Sequence, residues 1–378
     1  MNTKTIHLIA AARPNFMKVA PLYHALARAE GLQPVLVHTG QHYDLNMSDV
    51  FFQDLKLPEP DIHLGLGSGS HAQQTGQVMM AYEQILMEQE PDLVVVVGDV
   101  NSTMAVTIAA CKLGTPVAHL EAGLRSFDRT MPEEINRLVT DSLADLLWTP
   151  SPDGDANLLH EGVAQDKIVR VGNIMIDSLE MLRETIESQK TTKAFGVQTG
   201  RFGLVTLHRP SNVDDQETLS RICAILQETA QQLPLVFPVH PRTRKSLESF
   251  NLLNHLQHTP GMQLAEPLSY IQFMNLVFSC RLAITDSGGI QEETTYLSIP
   301  CLTLRPNTER PITVEQGTNR LCSADTIEAE IHSVLSNNAS MPTVPPELWD
   351  GKTAFRVVDS IQAFLLAGQA GREIITQR

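Results

Sequence analysis

The chain has 378 residues, 42% of them hydrophobic, and a formal net charge of -15. That length and apolar content fit two globular domains and exclude a disordered chain. So acidic a surface argues against nucleic acid or an anionic membrane as partner, and an anionic small molecule would need locally gathered Arg, Lys and His.

Along the chain, short apolar runs alternate with amphipathic stretches. The N-terminus passes from Met1-Asn2-Thr3-Lys4 into a short strand and lacks the apolar core of a signal peptide. In the first half, strands are expected at Ile6–Ala10, Pro34–His38, Leu93–Gly98, Pro116–Leu120, Leu146–Thr149 and Ile168–Val171. Helices are expected between them at Asn15–Ala29, Gln73–Gln89, Ser102–Leu113, Pro132–Asp145 and Gly154–Glu161. The run Leu93-Val94-Val95-Val96-Val97 is too short to span a bilayer and reads as a strand buried on both faces. That is the mark of a parallel sheet covered by helices. A polar helix over 174–198 reads as the connection to a second alternating series. Its strands are Gly203–Leu207, Leu235–Val239, Met262–Leu264, Leu282–Thr285 and Pro300–Leu304. Its helices include Gln216–Gln231, Tyr270–Phe278, Gly289–Leu297 and Thr326–Leu335, and an amphipathic helix runs from Thr353 to Leu366. The fold class expected is α/β, with two Rossmann-like doubly wound domains facing a cleft. The domains are 1–172 plus 356–378, and 173–355.

Doubly wound sheets bind ligands at the C-terminal ends of their strands. Arg13, Asp99, Glu121, His208, His240 and Asp286 all fall just after expected strands. The segment Asp286-Ser287-Gly288-Gly289-Ile290-Gln291-Glu292-Glu293 joins a strand to a helix start. Small residues there let a phosphate approach backbone N–H groups at the positive end of the helix dipole. Glu293, one turn on, suits a ribose hydroxyl. Asp99, Glu121 and Glu133 bring three carboxylates to one edge, where mutual repulsion separates their pKa values into acid and base. Plainer roles exist for two of them: Asp99 could cap the following helix, and Glu133 could pair with Arg137 at i,i+4. His208-Arg209 and His240-Pro241-Arg242 place His–cation pairs at neighbouring strand tips, which suits a diphosphate. Arg310 in Thr308-Glu309-Arg310-Pro311 adds another cation, whose plain alternative is a loop salt bridge with Glu309. Arg13 and Lys18 stand at the first turn. No dinucleotide fingerprint, P-loop, nucleophile elbow or metal-ligand spacing occurs, so neither a redox cofactor nor a metal is expected. Five cysteines without a C-x-x-C spacing read as buried free thiols in a reducing cytoplasm.

Taken in order, these motifs identify a resemblance. Arg13-Pro14 with Lys18, Gly98-Asp99, His119-Leu120-Glu121-Ala122-Gly123-Leu124-Arg125, Pro132-Glu133-Glu134-Ile135-Asn136-Arg137, His208-Arg209, His240-Pro241, the 286–293 segment and 308–311 together resemble the non-hydrolysing UDP-N-acetylglucosamine 2-epimerases of bacteria and archaea. The likeness covers nearly the whole chain. It implies a glycosyltransferase-B-like fold whose final helix crosses back to the first domain, a homodimer, and a role in supplying cell-surface polysaccharide synthesis. It also implies epimerisation at C2 by elimination of UDP to a 2-acetamidoglucal and re-addition. On that likeness Asp99, Glu121 and Glu133 carry the proton transfers, undivided between acid and base, with His208 beside the leaving diphosphate. Arg13, Lys18, Arg137, His240, Arg242 and Arg310 support sugar and phosphates. Ser287, Gly288 and Gly289 hold the diphosphate, and Glu293 the ribose.

The chain departs from many members of that family at three places. Ala11-Ala12-Arg13-Pro14-Asn15 replaces Gly-Thr-Arg-Pro-Glu, so the Glu there is lost. Pro210-Ser211-Asn212 replaces Arg-Glu-Ser, and Gln41-His42-Tyr43-Asp44 differs from the form with an allosteric site. The residues leave open a related UDP-HexNAc, such as UDP-GalNAc or a modified sugar, and a hydrolysing epimerase. A glycosyltransferase is disfavoured by the three carboxylates, and a non-catalytic nucleotide-sugar module by the complete acid–base set.

Overall fold

The computed structural model describes residues 3–40, 54–67, 69–336 and 344–376, without the side chains of Arg13 and of 368–376. The segment Gln41-His42-Tyr43-Asp44 lies outside the described residues. The chain divides into two compact units, residues 1–181 with 347–378, and residues 182–346.

The first unit holds β1 (Lys4–Ala10), β2 (Leu32–His38), β3 (Ile62–His63), β4 (Leu93–Val97), β5 (Val117–Leu120), β6 (Leu146–Thr149) and β7 (Ile168–Arg170). Their order is β3-β2-β1-β4-β5-β6-β7, and every neighbouring pair is parallel. The five residues of β4 are all buried, as an apolar run without alternation requires of a central strand. The second unit holds β8 (Gly203–Thr206), β9 (Leu235–Pro238), β10 (Met262–Ala265), β11 (Leu282–Thr285), β12 (Cys301–Leu304) and β13 (Asn319–Cys322). These run β10-β9-β8-β11-β12-β13, again all parallel. Both orders reverse direction once, between β1 and β4 and between β8 and β11. At such a switch point the connecting segments leave on opposite faces, and a crevice opens beyond the strand ends. The two Rossmann-like sheets expected from the sequence are thus present.

Several elements differ from expectation. β3 and β13 are absent from the sequence reading: the first is two residues long, and Asn319-Arg320 hides the second. The connecting stretch after residue 174 is not the polar helix expected. Ile174, Ile176, Leu179, Leu182 and Ile186 of the helix Ile174–Glu187 are buried, and the division between units falls within it. The last helix extends over Thr353–Thr376. It is fastened to the first unit, where the Asp177 carboxylate accepts N–H bonds from Thr353 (3.0 Å) and Ala354 (2.8 Å). Trp148 Nε1 donates to Ser360 Oγ at 2.9 Å, and Trp349 Nε1 to the Pro150 carbonyl at 3.1 Å. Four cysteines are buried free thiols, but Cys111 is only partly buried. Among the described residues no helix is long and apolar enough to cross a membrane, and no cluster of three or more His, Cys, Asp or Glu could hold a metal ion.

Burial pushes the Asp177 carboxyl up to about 6, although the Ala354 and Thr353 N–H groups favour its charged form. In an unfolded chain it titrates near ~3.9. A folded value above the unfolded one contributes stability that is complete below ~3.9 and is lost as pH rises through about 6. Urea unfolding should therefore show stability falling between those pH values by about 1–3 kcal/mol, with most of that slope missing in Asp177→Asn. Equal slopes in the two proteins would contradict the assignment.

Candidate functional site

In the first unit the switch point is closed by one side chain. Asn15, at the start of the helix Arg13–Leu26, accepts the Ala12 N–H (3.0 Å) through Oδ1 and donates through Nδ2 to the Val97 carbonyl (3.0 Å). It thereby ties the turn after β1 to the end of β4. The departure from Glu at this position thus has a structural role: a carboxylate could not donate to that carbonyl.

One helical turn on, Lys18 Nζ forms a part-buried ion pair with Glu121 Oε2. Gly98 makes room for it. Its φ is +68°, and a Cβ there would stand 3.3 Å from Lys18 Nζ and 3.6 Å from Glu121 Oε2. Glu121 itself has φ +72°, a conformation costing a non-glycine residue about 1–3 kcal/mol. Its Oε1 is buried and accepts no hydrogen bond among the described residues. A strained carboxylate with one bare oxygen makes Glu121 a candidate functional group, because folding alone gains nothing from either feature.

The turn bearing Glu121 is fixed from beneath. In β5, His119 reaches the Gly98 carbonyl with Nε2 (2.8 Å) and Asp141 with Nδ1 (2.6 Å). Asp141 also accepts the Gly123 N–H (3.0 Å) and pairs with Arg125 (2.7 Å). Burial works against its charge, but His119 and Arg125 hold its pKa below the ordinary carboxylate value. Arg125 grips Glu161 bidentately at 2.8 and 2.7 Å.

Asp99 and Glu133 line a cavity of about 170 Å³ with His71, Gln74, Asn101 and Asn136. Neither takes its plain role. The helix Asn101–Lys112 starts at Val100 without a side-chain cap. Arg137 turns to Asp99 (2.7 and 3.1 Å) and to Glu134 (2.6 Å) and is buried between them. Glu134 also accepts N–H bonds from Ser126 (2.9 Å) and Phe127 (3.0 Å), so it holds the preceding loop. Glu133 has no hydrogen bond or ion pair among the described residues and stays half-buried at the cavity wall. Arg137, expected to touch substrate, is placed to orient Asp99. The side chain of Arg13 lies outside the described residues.

In the second unit the switch point is closed by Asp286. Its buried carboxylate accepts the backbone N–H of His208 (2.9 Å) and of Arg209 (2.8 Å), and the Asn212 amide (3.1 Å). It also meets His208 Nδ1 at 2.7 Å. Burial opposes its ionisation, yet these donors keep its pKa below the usual value. The ring of His208 is thus held by Nδ1, and the side chain remains 40% exposed. His240 lies beside it, with ring centroids 5.6 Å apart. Burial and then His208 push the His240 pKa down, and its Nδ1 accepts the Arg242 N–H at 3.2 Å. Arg242 pairs with Asp214 on the surface (Nε at 2.9 Å).

Ser287 begins the helix Gly288–Tyr296, whose first turn carries no side-chain cap and no acidic residue. Its N–H groups are thus available to an anion. Beneath it lies a buried charge cluster. Arg310 pairs with Glu292 (2.8 Å) and Glu309 (2.7 Å), and Arg305 with Glu309 (2.7 Å). Burial works against the Glu309 charge, but Arg310 and Arg305 hold its carboxyl well below the usual range. A Cβ on Gly288 would stand 2.9 Å from Glu309 Oε1 and 3.2 Å from an Arg310 guanidinium nitrogen, so a larger residue there would have to displace this cluster. The Glu309–Arg310 pair considered from sequence exists, though largely buried rather than on a loop surface. Glu293 is buried, and burial pushes it up to about 7 even though the Tyr270 hydroxyl donates to it at 2.8 Å. Sequence reasoning missed Arg305 and the bridging role of Asp286. The signal for the latter was present: an acid after one strand and a His after its neighbour.

Comparison with known proteins gives a consistent result. The family model for UDP-N-acetylglucosamine 2-epimerase matches residues 24–362. A UDP-N-acetylglucosamine 2-epimerase of Methanocaldococcus jannaschii is 42% identical over 321 residues, 84% of this chain and 87% of that one. A UDP-2,3-diacetamido-2,3-dideoxy-D-glucuronate 2-epimerase of Pseudomonas aeruginosa is 40% identical over 321 residues, again 84% of this chain and 87% of the other. The crystal structure of the M. jannaschii UDP-GlcNAc 2-epimerase in complex with UDP-GlcNAc and UDP superposes with a TM-score of 0.83 at 38% identity, covering 95% of this chain and 99% of that one.

Removing the Asp286 carboxylate leaves two backbone N–H groups and an amide without their acceptor. Asp286→Ala should destabilise the second unit by about 3–5 kcal/mol, and Asp286→Asn by less, in equilibrium denaturation. A loss below about 1 kcal/mol for the Ala variant would show that the bridge does not hold β8 to β11.

Proposed function

The chain belongs to the UDP-N-acetylglucosamine 2-epimerase family and is an epimerase, and we propose that it interconverts UDP-N-acetylglucosamine and UDP-N-acetylmannosamine. The observation that carries this reading is Glu121, strained, half-satisfied and paired with Lys18, on the same strand edge as Asp99 and Glu133. The C2 hydrogen of such a sugar is not α to a carbonyl, so its direct removal is difficult. Elimination avoids the difficulty. One carboxylate takes the C2 proton while the C1–O bond to UDP breaks, leaving a C1=C2 double bond in a 2-acetamidoglucal. UDP then re-forms the C1–O bond as a carboxylic acid returns a proton to the opposite face of C2. Three carboxylates in one unit supply that acid and base.

The second unit, in this reading, holds UDP through the cycle. The open turn at Ser287, Gly288 and Gly289 takes the diphosphate, His208 and His240 stand beside it as the charge of the leaving group grows, and Glu293 accepts from the ribose. Arg137, Arg242 and Arg310 act behind these groups. The Pseudomonas relative favours a second substrate of the same class, a 2,3-diacetamido uronate, on the same chemistry.

Incubation with UDP-N-acetylglucosamine in deuterated water should place deuterium at C2 and yield the manno epimer. Stoichiometric free UDP would point instead to hydrolysis, and no exchange with any UDP-HexNAc would remove the proposal. Glu133→Gln and Asp99→Asn should each lower kcat by about 10²–10⁴-fold with UDP affinity retained. A ribose hydroxyl donates best to an ionised Glu293. UDP should therefore bind more tightly as pH rises through about 7, by a component that Glu293→Gln abolishes in calorimetric titrations.

A further inference from the structure

We propose that Gln291 is a positioning residue of the anion site: together with Thr308 it locks the Ser287–Gly288 peptide so that the Gly288 N–H, and not the Ser287 carbonyl, faces the diphosphate. This rests on the reading of that turn as the diphosphate site. Gln291 lies one turn into the helix Gly288–Tyr296, is fully buried, and reaches back to the residue that begins the helix.

Its hydrogen bonds form a chain whose direction is fixed at both ends, because a backbone N–H only donates and a backbone carbonyl only accepts. The Arg310 N–H donates to Thr308 Oγ1 at 3.1 Å. The Thr308 hydroxyl passes its own hydrogen to Gln291 Oε1 at 2.7 Å. The amide is thereby oriented, and its Nε2 donates to the Ser287 carbonyl at 3.2 Å. Asn319 Nδ2 donates to the same Gln291 Oε1 (3.0 Å), while its Oδ1 accepts the Thr303 hydroxyl (2.6 Å). Reversing the Gln291 amide would set its oxygen against the Ser287 carbonyl and its nitrogen against the Asn319 donor, and burial makes such losses costly.

What the chain fixes is a peptide plane. In a trans peptide the carbonyl and the following N–H point in opposite directions. Holding the Ser287 carbonyl inward on Gln291 therefore aims the Gly288 N–H outward. The Ser287 N–H is spent on Thr285 Oγ1 at 3.0 Å. The donors left at the turn are the N–H groups of Gly288 and Gly289, which have no acceptor among the described residues. A peptide beside two glycines turns over at little steric cost, and the turned form would set a carbonyl oxygen against phosphate oxygens. Gln291 removes that alternative before an anion arrives. Because the far end of the chain is the Arg310 N–H, the 308–310 segment and the phosphate turn are held as one piece.

Binding of UDP and of uridine, which lacks the diphosphate, separates positioning from packing. Both are measured by NMR titration of the full-length protein, which reaches the weak affinity of a nucleoside. Thr308→Val keeps the side chain's shape and removes the hydroxyl that orients Gln291, and Thr308→Ser keeps that hydroxyl. Gln291→Met removes the amide itself. Thr308→Val and Gln291→Met should bind UDP about three- to tenfold more weakly, Thr308→Ser within about twofold of wild type, and uridine equally in all. The Thr308 pair decides the matter if the buried Gln291 variant fails to fold. The proposal is overturned if Thr308→Val keeps full UDP affinity, if Thr308→Ser falls with it, or if uridine affinity falls in step. Wild-type protein that binds UDP no more tightly than uridine would remove the diphosphate reading itself, and this proposal with it.

Discussion

Each sheet depends on one side chain that spans its switch point. Parallel strands that diverge there leave backbone groups at their C-terminal ends with no ladder partner, and burial makes such groups costly. In the first unit Asn15 satisfies the Val97 carbonyl from the turn after β1. In the second, Asp286 satisfies the His208 and Arg209 N–H groups from the turn after β11. The polarity is reversed, a donor in one unit and an acceptor in the other, because the orphan groups differ. The consequence is the same. The two turns that carry the proposed chemistry are locked at the hinge line of the sheet, so Lys18 and Glu121, and likewise His208, stand on rigid supports.

Rigidity matters because the candidate groups are energetically unfavourable on their own. Glu121 combines a left-handed backbone with a bare buried oxygen. The His119–Asp141–Arg125–Glu161 chain beneath it supplies four buried or half-buried partners that compensate. The same logic applies to Asp99, whose partly exposed carboxylate is held from the buried side by Arg137, itself anchored by Glu134.

The sequence makes the fold class and the strand-tip positions readable for one reason. Alternation of apolar runs and helical periods is local, and so is the residue that follows a run. Leu93–Val97 announces a central strand, and Asp99 necessarily sits at its tip. Pairings are not local. Arg137 reads as a cation for substrate, but its partner Asp99 lies 38 positions away and appears only when β4 and the helix Pro132–Leu143 are side by side. Arg242 likewise finds Asp214, 28 positions away. β13 escapes because a polar strand at a sheet edge has no apolar run to mark it.

Those pairings bear on how the proposed nucleotide diphosphate would be held. The chain carries a net charge of -15, and cations expected to gather around an anion are largely committed. Lys18 faces Glu121, Arg137 faces Asp99 and Glu134, Arg242 faces Asp214, and Arg310 faces Glu292 and Glu309. On the proposed function, the diphosphate meets the uncapped first turn of Gly288–Tyr296 and the imidazole of His240, whose Nδ1 accepts the Arg242 N–H. That suits the reversible elimination proposed for this chain. UDP must be stabilised as it leaves, yet its oxygen must stay nucleophilic enough to return to C1. Backbone dipoles stabilise developing charge without the deep well that several unpaired guanidinium groups would create.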